Sequence, residues 1–155
     1  MTIVIFGGAG DLAHRKLLPA LYNLHVDGLL PKQMAIVGVG RKAMSDAAYR
    51  DFAKDGVTKF SRRPIDNAAW QTFADALFFV AAEIDAEQGL APLGARLDII
   101  EHERGLEAER IYYLALPSSA GRCRLAGIRA VALLPARIDR RTADVSIARR
   151  PPGHG

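Results

Sequence analysis

The sequence predicts an α/β fold with a doubly wound parallel sheet, and two observations support this prediction. Short runs of apolar and β-branched residues, which are typical of buried strands, alternate with longer segments whose apolar residues recur at helical spacing. A cluster of glycines also separates the first of these strands from the first helix. Strands that alternate with helices form βαβ units, and helices then cover both faces of the parallel sheet.

The first strand and the first helix are separated by an abrupt turn. Residues 2–6 (TIVIF) are β-branched and aromatic, and the glycine-rich residues 7–10 end this strand. The apolar spacing from Asp11 onward predicts a helix that ends at residues 27–28 (DG). Pro19 should kink or restart this helix because proline has no backbone N–H.

The same patterns continue along most of the chain. The remaining predicted elements are, in order, a strand at 35–40 (AIVGVG), a helix with Ser45 as its N-cap, a helix from Asp66, a strand at 77–80, a helix at 90–102 and a strand at 110–116 (RIYYLAL). The predicted sheet therefore has helices between its consecutive strands, as in a doubly wound fold.

Composition excludes several classes of protein. Half of the residues are hydrophobic and a quarter are charged, which excludes a disordered chain and a fibre. No apolar run approaches the roughly 20 residues that cross a bilayer, and the opening MTIVIF has no basic flank, so we expect a cytoplasmic protein. The single cysteine, Cys123, cannot form an internal disulfide, and the histidines show no metal-ligand spacing. We therefore expect neither a disulfide nor a metal site.

The chain changes character near Pro117, which we interpret as a domain boundary. Residues 1–116 hold 13 Lys and Arg against 15 Asp and Glu, whereas the last 39 residues hold eight Arg and two Asp. No lysine follows Lys59, and no aromatic residue follows Tyr113. We predict one folded domain at residues 1–116 and an Arg/Ala-rich, partly disordered tail at residues 117–155.

The turn at residues 7–13 (GGAGDLA) carries the clearest chemical signal. Its spacing of Gly7, Gly10 and Ala13 is a G-x-x-G-x-x-A variant of the dinucleotide-binding fingerprint. Glycines let the backbone approach a pyrophosphate closely, and the N–H groups at the start of the following helix attract its negative charge. An ordinary glycine turn between a strand and a helix is the alternative interpretation.

Arg41, just beyond the second predicted strand, supplies a second signal. In a dinucleotide-binding fold this edge of the sheet meets the adenosine ribose, where an acidic residue accepts the 2′-hydroxyl of NAD and an arginine suits the 2′-phosphate of NADP. A guanidinium binds a phosphate in a forked geometry and also stacks on adenine. The basic pair Arg41 and Lys42 therefore favours NADP, with a solvated surface arginine as the alternative.

Three stretches resemble the amino-terminal coenzyme domain of glucose-6-phosphate dehydrogenase: GGAGDLAHRKLLPALYNL at 7–24, VGVGR at 37–41 and YYLALP at 112–117. The first is specific, because a generic Rossmann turn would not also carry Asp-Leu-Ala, Arg-Lys-Leu and Pro-Ala-Leu at these spacings. The resemblance implies a Rossmann-type domain that binds NADP. For the whole family it implies a homo-oligomer that oxidises glucose 6-phosphate to 6-phosphogluconolactone, the first step of the pentose phosphate pathway.

The resemblance also implies roles for individual residues. It assigns the coenzyme pyrophosphate loop to Gly7, Gly8, Ala9, Gly10, Asp11, Leu12, Ala13 and His14. It assigns Arg41 to the 2′-phosphate of NADP and Tyr113 to a coenzyme contact, and Glu83 and Ile84 align loosely with residues beside the coenzyme. Lys16 matches the second basic residue of the family's Arg-Lys-Leu, which points toward the substrate.

The chain also departs from the family pattern. The resemblance implies a much longer chain, in which a Glu-Lys-Pro-Phe-Gly segment follows the last strand and an Arg-Ile-Asp-His-Tyr-Leu-Gly-Lys-Glu segment supplies the substrate-phosphate contacts and the catalytic histidine. Neither segment is present, and the RIDR of residues 137–140 is a coincidental match. We therefore predict that this chain alone is inactive. A free-standing NADP-binding sensor or regulatory module without catalysis is the alternative function.

The tail at residues 117–155 carries none of these motifs. It is rich in Arg and Ala and begins where the resemblance stops, as an out-of-frame translation of a GC-rich gene would. An arginine-rich arm for nucleic acid is a second interpretation. We disfavour it because the arginines are dispersed among aliphatic residues without aromatic stacking partners. We therefore expect no nucleic-acid partner.

If the tail is a frameshift product, restoring one or two bases near codons 117–120 should reopen a frame that encodes both missing segments. Sequencing the gene checks this expectation. A gene that contains no such frame would rule out the frameshift.

Overall fold

The structure, a computed structural model, describes residues 1–83, 89–106 and 109–115 and the backbone of residues 145–149. Its strands are β1 (Thr2–Phe6), β2 (Ala35–Gly40), β3 (Leu77–Ala81), β4 (Glu109–Leu114) and β5 (Val145–Arg149). Its helices are a π-helical turn (Ala13–Leu17), α1 (Leu18–Val26), α2 (Asp46–Phe60), α3 (Asn67–Asp75) and α4 (Ala91–Arg104). These bounds confirm the predicted elements to within about two residues.

The strands form one sheet in the order β3-β2-β1-β4-β5. The first four are parallel, with Ile5 of β1 opposite Gly38 of β2 on one side and Tyr113 of β4 on the other. This order, with β1 between β2 and β4, is that of a doubly wound fold and confirms the predicted fold class. The carboxyl ends of the parallel strands meet at one edge of the sheet, where such folds bind ligands.

Helices cover both faces of the sheet, so β1 is buried along its whole length. One face forms a core with the π-helical turn and helices α1, α2 and α3; its largest members include Tyr22, Tyr49, Trp70, Phe73 and Phe79. The other face packs on α4 through Leu93, Leu97 and Ile100. Burial of alternate residues on opposite faces explains why the strands read as continuous apolar runs.

The first helix begins at Asp11, widens into the π-helical turn and returns to α-helix at Leu18. Pro19 lies in the first turn of α1, so the restart predicted from its missing N–H is confirmed. Gly56 of α2 lies against this wide turn, since a Cβ on Gly56 would overlap the carbonyl oxygen of His14. A glycine inside a helix is therefore explained here by close packing.

Side chains cap helices α2 and α3, and the cap at Ser45 was predicted from the sequence. The Oγ of Ser45 accepts a hydrogen bond from the N–H of Ala48 at 3.0 Å, and an oxygen of Asp66 accepts one from Ala69 at 2.8 Å. These bonds satisfy N–H groups that have no partner within their own helix.

Asp46 connects the start of α2 to the free edge of β3. Its Oδ1 accepts a hydrogen bond from the N–H of Phe79 at 2.9 Å, and its Oδ2 accepts one from Arg96 of α4 at 3.0 Å. In a parallel edge strand alternate N–H groups point away from the neighbouring strand, and the Phe79 N–H is one of these because it bonds to Asp46. One carboxylate therefore joins two helices and an edge strand.

A buried ion pair lies at the amino ends of β1 and β4. Arg110 donates to both carboxylate oxygens of Glu101, at 2.7 and 2.8 Å, and both residues are 5% exposed. Thr2 donates to Glu101 at 3.1 Å, and Arg110 also reaches Asp98 at 3.1 Å. Burial alone would lower the pKa of Arg110, but the bound Glu101 carboxylate outweighs it and raises that pKa above its ordinary value.

The strand β5 runs antiparallel to β4, with Glu109 opposite Arg149 and Tyr113 opposite Val145. It belongs to the Arg/Ala-rich tail; the rest of residues 117–155, and the predicted boundary at residue 116, lie outside the described residues. The boundary and the disorder of the tail therefore stay predictions. Within the described part of the chain, no helix is long and apolar enough to span a membrane.

We expect Glu101→Gln to lower the free energy of unfolding by about 3 kcal/mol or more, because it leaves a buried guanidinium without its carboxylate. Urea denaturation followed by circular dichroism measures the loss. Asp98→Asn is the control, since Asp98 is 59% exposed and its loss should cost less than about 1 kcal/mol. Equal losses in the two variants would contradict a stabilising role for burial of this pair.

Candidate functional site

The glycine loop, residues 7–10, folds back over the end of β2. The N–H groups of Gly7 and Gly8 both donate to the carbonyl oxygen of Val39, at 2.9 and 3.1 Å, and Gly10 donates to Gly7 at 3.0 Å. Gly7 has a φ of 77°, a left-handed conformation that glycine adopts without steric cost. Hydrogen bonds thus fix a tight turn at the carboxyl edge of the sheet.

The loop also touches β2 backbone to backbone. A Cβ on Gly8 would lie 2.5 Å from the Cα of Gly38 and 3.0 Å from the carbonyl oxygen of Ile5. No side chain larger than hydrogen fits at this crossing unless the backbone moves. Gly8 therefore fixes the height of the loop above the sheet.

The helix that follows the loop points its amino end at the same edge. Its first hydrogen bond joins the N–H of His14 to the carbonyl oxygen of Gly10 at 3.1 Å. The N–H groups of Asp11, Leu12 and Ala13 precede this bond and point out of the helix end. Together with the helix dipole, they form an environment that favours an anion.

Asp11 places a negative charge at this helix end, and Arg15 offsets part of that charge. Asp11 accepts a hydrogen bond from the Nε of Arg15 at 2.8 Å, one helical turn away. The Arg15 guanidinium also lies 5.4 Å from the centre of the Phe60 ring. Lys16 is exposed on the π-helical turn.

The side chain of His14 is directed at α2. Its Nε2 lies 2.7 Å from an Asp55 oxygen, and its ring lies 4.9 Å from that of Phe52 and 5.6 Å from that of Phe60. Hydrogen bonds from Lys59 and then from His14 lower the pKa of Asp55 below its ordinary value. The His14 ring therefore contributes to the packing of α2 on the first helix.

Arg41 lies beside a cavity of about 290 Å³ at the carboxyl ends of β2 and β3. The cavity is lined by Arg41, Ala81, Ala82, Glu83, Gly89 and Pro92. Arg41 and Glu83 were identified from the sequence, whereas the small residues were not, because they carry no chemical signature. Ile84 lies outside the described residues.

The structure brings the glycine loop, Arg41 and Tyr113 to one edge of the sheet. A Cβ on Gly40 would lie 4.0 Å from the Cβ of Ala9, so the residue before Arg41 lies against the glycine loop. Tyr113 is half-buried one residue before the end of β4, and Ala115 extends the pairing to Phe6 with a 2.8 Å hydrogen bond. The residues at the ends of β1, β2 and β4 therefore lie along one edge of the sheet.

Tyr49 of α2 contacts the glycine loop and was not among the candidate residues identified from the sequence. The side chain is fully buried, and its hydroxyl donates to the carbonyl oxygen of Gly8 at 2.9 Å. A Cβ on Gly38 would overlap the Tyr49 ring. A lone glycine inside a strand indicates that another group approaches closely, so Gly38 was the available signal.

The family model and two curated relatives that match this chain carry the name glucose-6-phosphate dehydrogenase. The family model described as glucose-6-phosphate dehydrogenase, NAD binding domain, matches residues 4–142. Glucose-6-phosphate 1-dehydrogenase of Chlamydia pneumoniae is 37% identical over 115 residues, which are 74% of this chain and 22% of that protein. The enzyme of the same name from Dickeya dadantii is 36% identical over 138 residues, which are 88% of this chain and 27% of that protein.

Solved structures agree with the sequence comparisons. A glucose-6-phosphate dehydrogenase in complex with its substrate glucose 6-phosphate superposes with a TM-score of 0.72 at 29% identity, covering 83% of this chain and 27% of that one. A glucose-6-phosphate 1-dehydrogenase from Mycobacterium avium, at 23% identity and a TM-score of 0.68, shares the fold and covers 86% of this chain and 27% of that one. The chain thus spans about a quarter of the length of the relatives it matches.

We expect Gly8→Ala to lower the free energy of unfolding by about 1–3 kcal/mol, because the added methyl group must displace β2 or the loop. Gly10→Ala is the matched control: its Cβ would lie 3.2 Å from the carbonyl oxygen of Gly7, so a small shift suffices and the cost stays below about 1 kcal/mol. Urea denaturation of both variants measures the difference. A Gly8→Ala variant with an unchanged free energy of unfolding would contradict the close crossing of loop and strand.

Proposed function

Since this chain belongs to the glucose-6-phosphate dehydrogenase family, we propose that its described residues form the NADP-binding part of a dehydrogenase of that family. One observation carries the proposal: Gly40, the residue before Arg41 and its cavity, lies close to Ala9 of the glycine loop. A helix end that favours an anion, together with an arginine beyond the next strand, suits a dinucleotide that carries an additional phosphate.

The loop fits a pyrophosphate for steric and electrostatic reasons. Gly8 and Gly10 have no side chain that would keep a pyrophosphate away from the loop backbone. The N–H groups at the start of the helix carry a positive partial charge. We propose that Gly7, Gly8, Ala9 and Gly10, with the helix end at Asp11, Leu12, Ala13 and His14, hold the pyrophosphate. His14 would contribute through its place at the helix start, because its ring is bound to Asp55.

Arg41 is proposed to select NADP. We propose that the guanidinium of Arg41, which follows the last residue of β2, binds the ribose 2′-phosphate with charge-assisted hydrogen bonds. Glu83 lines the same cavity, and a carboxylate there would accept a hydrogen bond from the 2′-hydroxyl of NAD. The two coenzymes therefore have to be compared directly.

Tyr113 and Lys16 are proposed to serve the nicotinamide half of the site. Tyr113 lies near the end of β4, on the far side of β1 from Arg41, where an extended dinucleotide would continue across the sheet edge. Lys16 is exposed, and we propose that it faces glucose 6-phosphate in the whole protein. Its role is secondary to the coenzyme site.

The reaction proposed for the whole protein is the oxidation of glucose 6-phosphate to 6-phosphogluconolactone. Bound NADP supplies the hydride acceptor, and a basic side chain must take the proton of the 1-hydroxyl. The 155 residues contain neither segment expected to provide that base and the sugar-phosphate contacts. We therefore propose that this polypeptide alone binds coenzyme without turnover, and that homo-oligomerisation belongs to the whole protein.

The free-standing sensor or regulatory module is not favoured, because the matched relatives are named dehydrogenases. The coenzyme-binding unit at residues 1–116 and a cytoplasmic location remain proposals.

We expect calorimetric titration of the 155-residue chain to show saturable binding that prefers NADP over NAD. Arg41→Ala should weaken NADP binding about 10- to 100-fold, as expected for loss of a charge-assisted hydrogen bond, while leaving NAD binding almost unchanged. Lys42→Ala is the matched control, because it removes the same charge from the neighbouring exposed position.

Four outcomes would contradict the proposal. Equal binding of NAD and NADP would overturn the role of Arg41, as would equal effects of Arg41→Ala and Lys42→Ala. A chain that is folded by circular dichroism but binds neither coenzyme would overturn the coenzyme site. Turnover of glucose 6-phosphate with NADP would overturn the proposed inactivity of this polypeptide.

A further inference from the structure

The Tyr49 side chain is locked in place by its surroundings. Its ring fills the space left by the absent side chain of Gly38, and the rings of Phe52 and Phe79 lie 5.9 and 5.2 Å away, centre to centre. The residue is completely buried in the first turns of α2. Because protein interiors are closely packed, the ring has no room to turn away, and its hydroxyl occupies a fixed position.

The direction of the Tyr49 hydrogen bond is unambiguous. Its partner at 2.9 Å is the carbonyl oxygen of Gly8, which only accepts. Burial raises the pKa of Tyr49 well above its ordinary value, so the hydroxyl stays protonated and donates. The carbonyl group of Gly8 is therefore held toward α2.

This bond fixes the orientation of the peptide between Gly8 and Ala9. No described residue has a cis peptide bond, and in a planar trans peptide the C=O and N–H groups point in opposite directions. Holding the Gly8 carbonyl toward Tyr49 turns the Ala9 N–H away from α2. The middle of the glycine loop then presents a donor on the side opposite the protein core.

We propose that Tyr49 is a positioning residue, which orients the Ala9 N–H toward the pyrophosphate of the dinucleotide. This inference rests on the proposed coenzyme function and extends it to a side chain that no glycine fingerprint contains. Tyr49 acts through the loop backbone and does not touch the coenzyme. Its effect should therefore depend on whether the ligand carries a pyrophosphate.

The test uses Tyr49→Phe in the 155-residue chain, because this change removes only the hydroxyl and keeps the ring. The ligands are NADP and adenosine 2′-monophosphate, which carries the 2′-phosphate but no pyrophosphate. We expect NADP binding to weaken about five- to tenfold, the value of one hydrogen bond. Binding of adenosine 2′-monophosphate should change by less than about twofold.

Backbone ¹⁵N relaxation without ligand gives an independent measurement. We expect the Ala9 amide order parameter to fall from about 0.85, typical of rigid backbone, to below about 0.6 in Tyr49→Phe. Tyr22→Phe is the matched control, since its buried hydroxyl accepts a hydrogen bond from the N–H of Asp66 at 3.0 Å and does not contact the loop. This variant should alter neither the Ala9 order parameter nor NADP binding.

The outcomes separate this proposal from the one on which it rests. Unchanged NADP binding in Tyr49→Phe would overturn the positioning role, and so would equal weakening of the two ligands, which indicates a general structural defect. If the unaltered chain binds no NADP, the proposed coenzyme function fails, and the role of Tyr49 toward the pyrophosphate fails with it. The relaxation measurement then tests only whether Tyr49 holds the loop. If the chain binds NADP, a rigid Ala9 amide in Tyr49→Phe overturns the role of Tyr49, and a mobile one supports it.

Discussion

The backbone crossing of Gly8 over Gly38 is the constraint on which the candidate site depends. Two chain segments can approach this closely only where neither carries a side chain, and here a Cβ on Gly8 would lie 2.5 Å from the Gly38 Cα. The crossing sets the height of the loop above β2. The absent side chain of Gly38 also leaves the space that the Tyr49 ring fills, and the Tyr49 hydroxyl bonds to Gly8. The loop, β2 and α2 therefore meet at this crossing.

Much of the fold could be predicted because it depends on local patterns. Strands were visible as apolar runs, the cap at Ser45 as a side-chain oxygen before a helix, and the break near Pro19 as a missing donor. The form of that break, a π-helical turn against Gly56, was not predictable, since it depends on how α2 packs on the first helix. The hydrogen bond of the Tyr49 hydroxyl was not predictable for the same reason: it depends on tertiary packing, because its partner lies 41 positions away in the sequence.

The two ends of the sheet serve different purposes. At the carboxyl edge lie the glycine loop, the start of the first helix and a cavity lined by Arg41 and Glu83. At the amino edge, Thr2, Glu101 and Arg110 form a buried network that joins β1, α4 and β4. Charged groups are thus buried and paired at the amino edge, whereas Asp11 and Lys16 are exposed at the carboxyl edge.

The hydrogen bond from Phe79 to Asp46 has a consequence for how the molecule behaves in a crowded solution. The unpaired N–H and C=O groups of an edge strand can pair with an extended segment of another chain, and such pairing leads to aggregation. On β3 the Asp46 carboxylate accepts from the outward-facing Phe79 N–H, and Arg96 holds that carboxylate in place. A visiting strand would have to displace an anion that is already paired on both of its oxygens. We therefore expect this ion pair to disfavour addition of a strand at the Phe79 amide, on the part of β3 that the structure describes.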